Sequence, residues 1–292
     1  MSQSAIEARN LVKSFGAKRV LDDLTFEVRP GDVVGVLGKN GAGKTTLLEL
    51  ILGFSPADSG AVRIFGHDSR ALPGHVKARI GFVPQQDELI DSLTADDQLT
   101  LTQSFYPRWD PALVHDLCVR WGVDRSQRIK RMSVGERQRL SILTALGHRP
   151  DLLVLDEPLA SLDPVARRLF LEELVEVATD TRRAVVFSSH IVSDIERLAN
   201  RIWILKDGRL EWQGDADALK ESIVRVHVHA TSALPQSLAI PNALSVRRAE
   251  SHAVAVVREW TEQHRRRLED EARATVHIES LALEEIFLEL HR

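Results

Sequence analysis

Apolar and polar positions alternate early in the chain: Leu24, Phe26 and Val28 against Thr25, Glu27 and Arg29, the period of a strand with one buried face. Val33-Val34-Gly35-Val36-Leu37 is instead continuously apolar, which predicts a strand buried on both faces. It runs into a glycine-rich loop and then into a helical pattern over 46–52. Later apolar runs at 152–155, 184–187 and 202–205 are interleaved with helical patterns over 165–177 and 191–199, an order that predicts a parallel sheet with helical cover. Asp163-Pro164 suits the cap and first turn of the helix that follows. Asp207-Gly208 predicts a hairpin turn into a strand at 210–212.

Between about Gln86 and Arg131 the strand signal disappears, and Leu99, Leu101, Leu113, Val114, Leu117 and Cys118 suggest helices, so this stretch is read as an inserted helical subdomain. Past about Ser222 the character changes again. Val224, Val226 and Val228 alternate with Arg225, His227 and His229. A proline-containing linker then leads to a second strand near 254–257, a polar helix over 260–272, a strand over 275–278 and a terminal helix over 283–290. The expected organisation is a large α/β domain, 1–222, with its helical insert at about 86–131, followed by a small α+β domain, 223–292. His227 and His229 share a strand face without an acidic or thiol companion in the pattern, so no metal is assigned to them.

Composition limits the possibilities. A chain of 292 residues with 43% hydrophobic content suffices for one large core and a smaller appended unit. With 38 basic against 42 acidic residues, no global charge points to nucleic acid as a partner, and Arg120, Arg125, Arg128, Lys130 and Arg131 read as a solvated helical face. One cysteine, Cys118, excludes an intrachain disulfide and fits a reducing compartment. Residues 1–7 lack the basic-then-apolar pattern of a signal peptide, and no window approaches the roughly 18 apolar residues that span a bilayer. Work at a membrane would require a separate spanning chain.

Candidate chemistry concentrates at the ends of the apolar strands. Gly38-Lys39-Asn40-Gly41-Ala42-Gly43-Lys44-Thr45 matches G-x-x-x-x-G-K-[ST] between a predicted strand and helix, where backbone amides and the positive end of the helix cradle phosphates. Lys44 is expected to reach the β and γ phosphates and Thr45 to ligate Mg²⁺. Leu152-Leu153-Val154-Leu155-Asp156-Glu157-Pro158 ends a buried strand in two acids, Asp156 to hold Mg²⁺ and Glu157, one step along the strand, to orient or deprotonate a water.

These motifs, with Met132-Ser133-Val134-Gly135-Glu136-Arg137-Gln138-Arg139 between them, resemble ATP-binding cassette (ABC) ATPases over residues 1 to about 220. The resemblance implies a P-loop fold of ABC type: a RecA-like mixed sheet, an antiparallel β subdomain and a helical subdomain, here with a small C-terminal α+β unit. It implies ATP hydrolysis with Mg²⁺. Phe15 would stack on adenine, although a core phenylalanine remains open; Gly38 to Thr46 would bind the phosphates. Gln85, after Val83-Pro84, would touch Mg²⁺ or the attacking water, and His190, closing Val186-Phe187-Ser188-Ser189-His190, the γ-phosphate. Ser133, Gly135 and Glu136 would meet ATP held by an opposing subunit, with Asp163 in the loop contacting that subunit. Glu136 stands where glutamine is commoner and adds a negative charge. Val134 stands where glycine is usual and would be strained if the backbone there needs positive φ.

The segments Phe105-Tyr106-Pro107-Arg108-Trp109-Asp110 and Leu283-Glu284-Glu285-Ile286-Phe287-Leu288 are similar to stretches of bacterial exporter-type ATPases, the YtrB-like branch included. The implied function is the ATP-hydrolysing subunit of an ABC transporter, driven by ATP-dependent homodimerisation, or heterodimerisation with a related ATPase. The implied location is the inner face of the cell membrane, where the subunit would be bound to separate transmembrane permease subunits, docked near residues 87–94. A soluble ABC-type ATPase or switch acting without a membrane partner is the alternative.

Overall fold

Continuous apolar runs become the inner strands. The computed structural model describes residues 3–235 and 238–292, the Ala178 side chain excepted; residues 236–237, in the expected linker, and residues 1–2 lie outside the described residues. The polypeptide forms two units, Met1–Gln213 and Gly214–Arg292.

The first unit begins with β1 (Ile6–Phe15), β2 (Lys18–Val28), β3 (Val33–Leu37), α1 (Lys44–Leu52), β4 (Ser59–Ile64) and β5 (His67–Asp68). It continues with α2 (Gly74–Lys77), β6 (Ile80–Val83), α3 (Ala95–Gln103), α4 (Pro111–Arg120), α5 (Val134–Leu146), β7 (Leu152–Leu155), α6 (Pro164–Thr179), β8 (Ala184–Ser188), α7 (Val192–Leu198) and β9 (Arg201–Lys206). β10 (Arg209–Asp215) runs across the division into the second unit. The central sheet has the order β10-β9-β3-β8-β7-β6, with β3 parallel to β8 and β9, and β7 parallel to β6 and β8. Every residue of β3, β7 and β8 is buried, as continuous hydrophobicity requires of strands covered on both faces. Asp207 and Gly208 both have positive φ, the geometry of a tight hairpin turn between β9 and β10.

An antiparallel sheet of order β2-β1-β4-β5 shares one core with the central sheet. Leu24, Phe26 and Val28 of β2 are buried there, and Phe26 lies 4.4 Å from Trp203 of β9 between ring centroids. β1, β4, β5 and β6 were not foreseen. In β1 the register slips between Ala8 and Leu11, with Asn10 at positive φ, so its apolar residues fall out of strict alternation. Residues 86–131 contain α3 and α4, and among the described residues their one bridge is Thr94 to Arg128. Capping boxes start α3 at Thr94 and α5 at Ser133, and Asp110 caps α4. Three members of the basic run are paired: Arg120 with Asp116 and Glu173, Arg125 with Asp96, and Arg128 with the Ser92 carbonyl.

The second unit contains α8 (Ala216–Ser222), β11 (Ile223–Ala230), β12 (Ala243–Arg248), β13 (His252–Arg258), α9 (Glu262–Ala272), β14 (Ala274–Ser280) and α10 (Leu283–Leu290), its sheet ordered β12-β13-β11-β14. β12 was missed because it is an edge strand whose apolar members, Leu244 and Val246, remain exposed and therefore carry little pattern. One face of the sheet buries Val226, Val228, Ala255 and Val257 against Leu268 and Ala272 of α9. Across β11, His227 is opposite His277 and His229 opposite His252. The fold also supplies His227 with an acidic neighbour that the local pattern concealed: Glu279 Oε2 lies 2.9 Å from its Nε2. Among the described residues, no three His, Cys, Asp or Glu side chains are placed to share a metal ion.

Candidate active site

The loop after β3 turns sharply, with Gly41 at φ 78° and Gly43 at φ 103°. Gly43, at φ 103°, is the N-cap of α1 and supplies no side chain, so the first amides of the helix face outward. At Gly38 a Cβ would lie 2.8 Å from the Leu205 carbonyl, a contact that only glycine avoids. This loop floors a cleft of about 450 Å³ lined by Phe15, Val20, Asn40, Gly41, Gly43, Lys44, Thr45, Thr46, Gln85, Glu157, Ala160 and His190. A larger concavity of about 830 Å³ lies over β1 and β2, but its lining includes Glu7, Glu27, Arg9 and Arg29 and no glycine-rich loop.

Residues from β1, β2, the loop into α1 and the turns that follow β6, β7 and β8 thus meet around the cleft. Lys44 Nζ donates to the Gly38 carbonyl at 2.9 Å and lies 3.4 Å from Glu157 Oε1, both side chains being nearly buried. The other carboxylate oxygen of Glu157 accepts from the His190 backbone N–H at 3.2 Å and lies 2.7 Å from His190 Nδ1. Gln85 follows the end of β6, and Phe15 ends β1 with half its surface exposed, so it is not a core phenylalanine. Lys13 Nζ stands 5.0 Å from the Phe15 ring centroid.

Glu157 reaches the cleft by a route different from simple strand alternation. β7 stops at Leu155, and Glu157 adopts φ 49°, so a turn aims its side chain. Asp156 lies beneath the cleft, 2% exposed, with Oδ1 accepting from Ser188 Oγ at 2.6 Å. Ser188 Oγ in turn accepts the Glu157 backbone N–H at 2.8 Å. This fully buried serine ends β8, and its residue type alone marks no role. Its signal was the register that pairs Leu155 with Phe187 and so brings the acidic strand end beside the Ser188-Ser189-His190 end. Val20 and Ala160 are further cleft residues that no motif marked.

Gly38, Lys39, Ala42 and Asp156 do not line the cleft, nor do Ser133, Gly135, Glu136 and Asp163. Ser133 is the N-cap of α5. Its hydroxyl accepts the Glu136 N–H at 3.3 Å and donates to Glu136 Oε2 at 2.8 Å, while its own N–H donates to the same oxygen at 2.7 Å. These bonds, the backbone one first, hold the Glu136 carboxyl below its ordinary pKa and keep it charged. Val134 is the first helical residue, without positive φ, and stands 66% exposed; the feared strain is absent. A Cβ on Gly135 would come within 3.2 Å of the Ser161 carbonyl. Asp163 caps α6, accepting from Val165 and Ala166 amides at 2.9 and 3.0 Å, and the Ala166 bond leads in lowering its pKa.

Residues 21–160 match the family model for ABC transporters. The chain is 32% identical to the ABC transporter ATP-binding protein YtrB of Bacillus subtilis (strain 168) over 223 residues, 76% of each chain. It is 34% identical to the Nod factor export ATP-binding protein I of Paraburkholderia xenovorans (strain LB400), over 75% of this chain and 73% of that protein. The chain belongs to the ABC transporter ATP-binding proteins. An ATP-binding subunit of an ABC transporter superposes with a TM-score of 0.68 at 28% identity, covering 75% of this chain and 92% of that one. The ATP-binding cassette MJ0796, solved as a dimer with ADP and Pi, shares the fold with a TM-score of 0.64 at 23% identity. As an ABC ATPase the protein binds and hydrolyses ATP, and its parallel-sheet core with glycine loop is the P-loop fold of that family.

Proposed function

We propose that this protein is the ATP-hydrolysing motor of a membrane transporter, working as an ATP-dependent dimer attached to separate transmembrane subunits at the inner face of the cell membrane. The observation that carries it is the meeting of Lys44, Thr45, Gln85, Glu157 and His190 around one cleft. Phe15 stacks on the base, and the amides of Gly38 to Thr46 cradle the phosphates. Lys44 exchanges Glu157 for phosphate oxygens as ATP enters. Thr45, Gln85 and Asp156 are hard oxygen donors suited to Mg²⁺. Asp156 in particular is a buried carboxylate with no lysine or arginine paired to it among the described residues, which favours a divalent cation nearby. Bound there, Mg²⁺ would neutralise phosphate charge.

Glu157 orients the attacking water and accepts its proton; His190 donates to the γ-phosphate and holds Glu157 in line. Ser133 and Gly135 at the start of α5 contact ATP held by the other subunit, and Asp163 lies in the loop facing that subunit. Whether the second subunit is another copy or a related ATPase, two composite sites form and hydrolysis releases them. No helix among the described residues is long and apolar enough to cross a membrane, so substrate passage falls to the partner chains. An apolar groove of about 370 Å³ with Phe54, Leu72, Ile80, Phe82 and Tyr106 in its wall suits a segment of such a chain. The export named for the Nod factor relative supports an exporter.

Glu157→Gln should retain ATP binding, lose hydrolysis by about 10²-fold or more and accumulate an ATP-bound dimer in size-exclusion chromatography with light scattering. Lys44→Ala should lose ATP binding. Rapid turnover by the Glu157→Gln protein would sink the assignment.

A further inference from the structure

Consecutive residues of α5 grip different parts of the cleft's surroundings. Arg137 bonds Asp87 through Nε at 2.9 Å and Nη2 at 2.6 Å, and Asp91 through Nη1 at 2.6 Å, in the stretch that follows Gln85. Asp87 and then Asp91 raise the pKa of this guanidinium. Gln138, 5% exposed, reaches the opposite way: its Nε2–H donates to the Pro158 carbonyl at 3.1 Å.

Pro158 follows Glu157 directly, and the turn between them is unusual. Glu157 has φ 49°, a region that costs an L-residue roughly 1–2 kcal/mol and persists only where neighbours hold it. The entry to the turn is fixed by the sheet, through Asp156 N–H to the Val83 carbonyl at 2.9 Å and Glu157 N–H to Ser188 Oγ at 2.8 Å. Within it, Ala160 N–H bonds the Glu157 carbonyl at 3.2 Å. The exit is held from outside the sheet, by Gln138. Pro158 has no N–H, so its carbonyl is the polar backbone handle it offers.

We propose that Gln138 is a positioning residue of the hydrolytic site: its amide holds the turn that aims the Glu157 carboxylate, and so ties that aim to the orientation of the helix that begins at Ser133. The proposal rests on the assignment of Glu157 as the group that activates water. It adds a route by which contact at the start of α5, on the face turned to a second subunit, reaches the carboxylate of the same chain within two side chains. A carboxylate that must meet a water in line with phosphorus is sensitive to displacement; about 1 Å of misplacement is worth roughly 10²-fold in rate.

The test uses the full chain with Mg²⁺ and ATP. Gln138→Met keeps length and burial but donates no hydrogen bond. Turnover should fall roughly tenfold or more while KM and the directly measured ATP affinity stay within about twofold, the split expected of a group that acts in the transition state. In Glu157→Gln protein the same substitution should leave the residual turnover within about twofold, because its target is already gone. Unchanged turnover in Gln138→Met overturns the proposal. So does an undiminished defect in the Glu157→Gln background, or a loss of ATP affinity in step with a lowered melting temperature. If the methionine variant does not fold, Gln138→Ala is read by the same criteria. Wild-type turnover by Glu157→Gln alone would instead sink the assignment of Glu157, and the proposal with it.

Discussion

Lys44 stands between a carbonyl and a carboxylate, so in the proposed site an incoming phosphate would compete with the Gly38 oxygen at 2.9 Å and Glu157 at 3.4 Å for the same ammonium. Glu136 poses the opposite problem, a carboxylate kept charged by Ser133 at a helix start where phosphate would be welcome. Glu136→Gln keeps an acceptor for the capping box and removes the charge. ATP-dependent dimerisation should then need about two- to fivefold less ATP, the equivalent of ~0.3–1 kcal/mol at a helix end. An unchanged ATP requirement would place Glu136 away from the partner's nucleotide. His148 has a different kind of vulnerability: fully buried, stacked 3.9 Å from Tyr106, and with one ring nitrogen 3.0 Å from the Ile80 carbonyl. Burial pushes its pKa down from 6.5 to about 4. The neutral ring is therefore stabilising above pH 6.5, and that contribution is lost as the pH falls from about 6.5 toward about 4, by at most about 3 kcal/mol. Urea denaturation at stepped pH should show this slope in the parent and a shallower one in His148→Phe.

At the scale of elements, α5 carries most of what distinguishes this chain. Val134 is its first residue and the backbone there is ordinary helix, so the departure from glycine affects only what approaches the helix start. Val134→Gly should cost at most about 1 kcal/mol of stability and lower the melting temperature by a few degrees. If the valine side chain hinders the trans contact, the same protein should dimerise at lower ATP; a dimer that forms no more readily shows the valine to be tolerated. Asp163→Ala removes two amide bonds at the start of α6 and should cost about 1 kcal/mol in thermal unfolding. Most of the elements that carry the cleft were legible beforehand, because β3, β7 and β8 are covered on both faces and their apolar runs are unbroken. β1 and β12 were not, since a register slip blurs one and edge exposure the other.

For the whole molecule, each unit has its own buried cluster: one runs from Ala5 to Leu205, the other from Val226 to Val276. A chain ending at Asp215 keeps β10 whole and should fold and bind ATP within about twofold of the parent, as expected of a domain with its own core. Failure to bind nucleotide in calorimetry would show that the second unit is needed for the first. Its sheet of cross-strand histidines would then call for a structural role in the complete protein.

By itself the sequence determined the P-loop, the acidic strand end, the succession of the fully buried strands and the helices between them, and the family, because those depend on spacing along the chain. Tertiary structure decided what depends on neighbours remote in sequence. It set Lys44 between Gly38 and Glu157, and it hung Asp156 and the Glu157 backbone on Ser188. It relieved Val134 of strain, and it joined Gln138 to the turn behind Glu157. A motif specifies which groups are available, but the aim of a carboxylate is set by a turn and by hydrogen bonds that the linear pattern does not contain.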